Sequence, residues 1–238
     1  MRKNLTLGAA VMLAMVAPAA AQEVIVTGQR GDFANAPGGD VGIVLPSRPV
    51  ITLTRPADYV VFGIKVAGDT RDQKQRRADL LATIRDAIGA ADKVGVELAV
   101  GQFVLQPLTS AGLGNLPFAG DGRPDTDQTN FLAKVRVAPG IDLTTARTRI
   151  DRFVASVKPT GRSTISVSFG PMLSMIRPDQ YRAQIIDLIA ADAAASAAKF
   201  GPNYGVDVSG LDRPVEWTRA GPLEGFLYLP AAYVLRRN

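Results

Sequence analysis

The chain has 238 residues, 47% of them hydrophobic, and 27 Lys and Arg against 22 Asp and Glu give a formal charge of +5. It contains no cysteine and no histidine, which excludes disulfides, thiol catalysis, iron–sulfur clusters, thiolate or imidazole zinc sites, and a Ser-His-Asp triad. Basic residues alternate with acids, as in Arg71, Asp72, Lys74, Arg76, Arg77 and Asp79, so the charge describes a salt-laced, solvated helix face and no nucleic-acid stripe.

At the N-terminus, Arg2 and Lys3 precede an almost wholly apolar run from Leu5 to Val16, and Ala19, Ala20 and Ala21 supply small residues ahead of Gln22. This is the pattern of a secretory signal peptide over residues 1–21, so the expected location is the periplasm, either free or peripheral to the outer membrane. Loss of Arg2 and Lys3 lowers the charge to about +3. No later apolar run reaches the ~20 residues that a transmembrane helix needs. Without cysteine there is no lipobox.

Residues 22–49 form an arm and tether. Glu23, Val24, Ile25, Val26, Thr27 and Gly28 make a β-prone run, and the Gly-, Pro- and Asp-rich stretch 31–42 follows it. The folded body is expected over residues 50–238. PVITLT and DYVVFGIKV are two β-rich runs interrupted at Arg55-Pro56, where proline withholds a ladder donor. Two adjacent strands or one bulged strand both fit.

Residues 69–92 change period. Ala78, Leu81, Ile84, Ile88 and Ala91 recur every three or four positions, as on one face of an amphipathic helix. Residues 94–105 return to strand character, and the turn-rich stretch up to residue 130 reads as a long loop. FLAKVRV (131–137) alternates as a half-buried strand. Asp142 then caps a helix carrying Leu143, Ala146, Ile150, Phe153 and Val157. Residues 164–169 form another strand. A long Ala-rich helix runs from about Pro178 to Phe200, closed by Gly201. The tail contains two or three closing strands. This order lacks the crossover helices of a parallel sheet, so the expected class is α+β, a largely antiparallel sheet packed against about three helices.

ITLTRPADYVVFGIKV, FLAKVRVAPGIDLTTARTRIDRFV and ISVSFGPMLSMIRPDQYRAQIIDLIAADAAASAAKFG, closed by GPLEGFLYLPAAYVL, follow one another in a pattern that resembles the SIMPL-domain family of bacterial envelope proteins. The resemblance spans roughly residues 50–235 and lies in pattern, with no single signature. It implies a periplasmic protein without an assigned catalytic centre, linked in some members to stress tolerance and able in some to self-assemble. It carries over no catalytic residue and no cofactor. Asp192 matches an acid often present in the long helix, for which a helix-surface or interface role is the simpler reading.

Several local patterns bear on chemistry. EVIVTGQR resembles the TonB box of outer-membrane receptors, which is offered as a strand to an energy-transducing partner, although the chain is too short for the receptor barrel. Ser196 and Lys199 fit S-x-x-K, the nucleophile and base of penicillin-binding proteins, without the supporting S-D-N and K-T-G elements. Asp121, Asp125 and Asp127 offer oxygen ligands to Ca²⁺ in a spacing unlike an EF-hand, and a solvated acidic turn explains them more simply. Gly112, Leu113 and Gly114 lack the strand and helix of a dinucleotide fingerprint. Trp217, Phe226, Tyr228 and Tyr233 fit cross-strand packing or an oligomer face. The expectation is a non-enzymatic envelope protein that acts through protein association, as a homo-oligomer or with an envelope partner, and binds no metal or cofactor.

Overall fold

A computed structural model describes residues 23–26, 50–101 and 104–237. The expected signal peptide and tether lie outside the described residues, as do Thr27 and Gly28 of the expected arm. The class is α+β. Among the described residues, eleven strands and three α-helices follow in the order β1 (Glu23–Val26), β2 (Leu53–Pro56), β3 (Tyr59–Gly68), α1 (Gln73–Ala91), β4 (Glu97–Val100), β5 (Gln106–Pro107), β6 (Asp127–Arg136), α2 (Leu143–Ser156), β7 (Ser163–Ile176), α3 (Arg182–Ala198), β8 (Tyr204–Ser209), β9 (Glu216–Arg219), β10 (Glu224–Tyr228) and β11 (Ala232–Arg237). A six-stranded antiparallel sheet in the order β1-β7-β3-β6-β4-β5 forms the centre, beside a three-stranded sheet β2-β10-β9 and the pair β11-β8.

Alternation along β3 explains the layering. Val60, Phe62, Ile64 and Val66 face the helices with Phe131, Ala133 and Val135 of β6, and they meet Leu80 and Ile84 of α1 and Ile150 and Phe153 of α2. Each fully buried Ile or Phe contributes roughly 1.5–3 kcal/mol. The opposite face carries a smaller cluster of Tyr59, Val61, Ala99, Leu105 and Leu132. Asp72 and Asp142 cap α1 and α2, accepting from the backbone N–H of Gln75 at 2.7 Å and of Thr145 at 2.6 Å.

Several expected elements shift. The two runs around Arg55-Pro56 are separate strands in different sheets, with Pro56 ending β2 against Glu224. The buried face of α1 is rotated, centring on Leu80, Thr83, Ile84 and Ala87 and leaving Ala78 exposed. An apolar-only stripe misses it because Arg76 and Asp79 are themselves buried. Among the described residues of 94–105, β4 takes four, and it starts at Glu97 because a 3-10 turn closed by Gly95 at φ 68° precedes it. The expected loop holds β5, a 3-10 helix at Ser110–Asn115 and the first residues of β6. β7 runs on to Ile176, and the tail supplies four strands.

Candidate interaction edge

Every strand in a sheet has two sides, and on β7, as on β6, one side is paired far more fully than the other. Its inner side pairs with β3 along almost its full length, from Gly68↔Ser163 to Tyr59↔Ser174. On its other side β1 covers only the last four residues, with Val26 opposite Leu173 and Glu23 opposite Ile176. Among the described residues, no strand pairs with the outward side of β7 between Ser163 and Phe169.

The local sequence accounts for this edge. Thr164, Ile165, Ser166 and Val167 alternate polar and β-branched side chains, with Thr164 and Ser166 exposed and Ile165 and Val167 half-buried against the core. The register then slips from Ile64↔Val167 to Gly63↔Phe169, leaving Ser168 as the extra residue of a bulge. The Phe169 ring crosses Gly63 so closely that a Cβ there would lie 2.1 Å from it, yet the side chain remains 46% exposed.

A polar network fixes the start of β7. Arg76 donates to Asp127 at 2.8 Å, both buried, and also to the carbonyl of Thr70. Asp79 accepts from Gln75 at 2.7 Å and from Thr70 at 3.2 Å, and its carboxylate lies against Gly161, which holds φ 59° and has no room for a Cβ. Thr83 and Ser163 share a hydrogen bond of 2.6 Å, and the Thr160 amide donates to Thr83 at 2.9 Å. Outside, Arg162 grips Asp69 through two bonds of 2.7 and 2.9 Å, and the guanidinium holds that carboxyl below its ordinary value. The open edge therefore starts from a pinned end.

Two other regions have chemical character. On the outer face of the sheet, the Tyr59 hydroxyl donates to Glu97 at 3.0 Å, Lys134 sits 3.6 Å from the same carboxylate, and Arg136 donates to Tyr59. A neighbouring cleft of about 770 Å³ joins Tyr59, Glu97 and Lys134 to apolar walls from Leu98, Leu105 and Ile176. A smaller cavity of about 360 Å³ is lined by Ile51, Ile189, Leu229, Asp192 and Tyr233.

The residues singled out in the sequence fall as follows. Glu23, Val24, Ile25 and Val26 form β1, engaged with β7 in the same chain. Asp127 is no loop ligand: it opens β6 and pairs with Arg76. Asp121 is held by Arg123, which keeps its carboxyl far below the usual range, and Asp125 sits at a turn with φ 57°. Among the described residues, no group of three or more acids is placed to hold a metal ion. Gly112, Leu113 and Gly114 lie on the 3-10 turn, with Leu113 buried. Ser196 shares a hydrogen bond of 3.0 Å with Tyr233, which donates to Asp192 at 2.8 Å, while Lys199 is exposed at the C-cap of α3. Trp217 packs in the core, and Phe226 and Tyr228 are half-buried on β10. Among the described residues, no helix is long and apolar enough to cross a membrane.

No protein-family model matches the chain, and no curated protein does. Among solved structures it is similar, at 15% identity and a TM-score of 0.31, to an amidase of the hydantoinase/carbamoylase family from Burkholderia phymatum. That likeness covers 59% of this chain and 36% of the amidase. A likeness at that level carries neither fold nor activity across.

Proposed function

We propose that this is an exported, non-enzymatic periplasmic protein of the SIMPL type that acts by associating with protein, in the service of envelope stress tolerance. The observation that carries the reading is the outward side of β7. A strand edge with free amides and carbonyls is a template for another chain, and natural sheets usually blunt such edges with charge, proline or cover. From Ser163 to Val167 this edge has no charge and no proline. The TonB-like reading of residues 23–30 has less support, because β1 would first have to leave β7.

The test is the solution mass of the chain from Gln22 to Asn238, measured by light scattering across a concentration series. The reading expects a defined species larger than one chain. A mass that stays monomeric into the millimolar range, with no protein captured at the edge, rejects it.

A further inference from the structure

We infer that the occupant of the open β7 edge is the same edge of a second copy, paired antiparallel about a two-fold axis through Ser166. The inference rests on the association reading above and names its partner and register.

The argument is one of self-complementarity. A two-fold axis perpendicular to a sheet places a residue opposite one that shares its face, so the paired positions sum to an even number. With Ser166 on the axis, Ile165 of one copy lies opposite Val167 of the other, and Val167 opposite Ile165. Both are β-branched and half-buried on the helix-facing side. On the solvent side Ser166 meets its own copy, and Thr164 meets Ser168, all of them exposed. Apolar thus meets apolar and hydroxyl meets hydroxyl, the cross-strand pairs that stabilise an antiparallel ladder.

The edge is also prepared for this role. Its first residue is tied to α1 through the Ser163–Thr83 bond, and Arg162 is held by Asp69, so the pairing segment is ordered before it meets a partner. Preorganisation lowers the entropic cost of association. The bulge at Ser168 bounds the ladder at one end and the Thr160–Ser163 turn bounds it at the other. The product is two six-stranded sheets joined into one, with β1 left in place on each copy.

The test uses Ser166→Lys and Ser166→Glu in the chain from Gln22, beside the unaltered chain. Either charge, placed opposite itself across the axis, is expected to raise the dissociation constant by more than about tenfold. The position is exposed, so the melting temperature should hold. An equimolar mixture of the two variants should restore association, because Lys then faces Glu; restoration also shows that both variants fold. As a register check, Ser166→Cys alone should form an oxidised dimer with its own copy, whereas Thr164→Cys alone should not. Association of Ser166→Lys with unaltered affinity overturns this edge and leaves the broader reading intact. A monomeric unaltered chain overturns the pairing of two copies, and it overturns the broader reading as well only when no other protein is captured at the edge.

Discussion

The two edges of the central sheet differ in kind. On one side the sheet ends in β5, only two residues long, one of them Pro107, and a 3-10 helix with buried Leu113 follows directly. On the other the terminal strand is β1, which covers only four of the fourteen residues of β7 and, among the described residues, leaves the first half of β7 as edge. A short, proline-bearing edge cannot extend a ladder, whereas an uncharged strand of β-branched and hydroxyl residues can. Among the described residues the sheet therefore has a closed end and an open one, and the open end is where we propose that a partner fits.

The largest expected effect loosens α1, the helix whose Thr83 holds Ser163 at the start of β7. Asp127→Ala leaves Arg76 buried without its carboxylate partner, which should cost about 3–5 kcal/mol. Urea unfolding reads this as a lower midpoint, and a midpoint unchanged from the parent would refute the anchoring role. Next is the support beneath the strand. Asp142→Ala removes the cap of α2, which packs under β7, and should cost about 1 kcal/mol; Asp142→Asn should recover most of it.

Acid sharpens the contrast without mutation. Asp69, through Arg162, and Asp142, through the Thr145 amide, are held below their ordinary value of 3.8 in the folded chain. Their contribution is thus complete above the unfolded value and is lost as pH falls through the lower, folded one. Stability should be level above about pH 5 and decline below about pH 4, and Asp69→Asn should flatten part of that decline in a thermal-melt series. The smallest expected effect is at the closed edge. Pro107→Val should leave the solution mass unchanged, because two residues make too short a ladder; a new oligomer would show that proline alone was guarding that edge.

Much of the architecture was legible from the residues. Alternation in FLAKVRV puts Phe131, Ala133 and Val135 on the helix-facing side, but the strand is not half-buried, because Leu132 and Lys134 on the other face are buried too; the spacing of Ala146, Ile150, Phe153 and Val157 reports its face because the buried residues there are apolar. The face of α1 was not legible, since Arg76, Asp79 and Thr83 are buried through partners on β6, at the Thr160–Ser163 turn and in the segment before α1, distant in sequence or outside any stripe. Residues 164–169 read as a strand, but edge position depends on which strands flank it, and local sequence does not contain that. The continuation of β7 past Gly170-Pro171 was hidden for a related reason: the pairing with β3 resumes at Val61↔Met172 after an irregular step. The β-prone arm was visible in EVIV, while its place on β7 was not.

The most direct measurement of the central claim is amide hydrogen exchange resolved at residues 164–167, followed as the chain concentration rises. Amides on the outward side of β7 should exchange quickly in dilute solution and gain protection in step with the solution mass, while those bonded to β3 stay protected throughout. A mass that increases with no new protection on that strand would contradict the account and place the interface elsewhere.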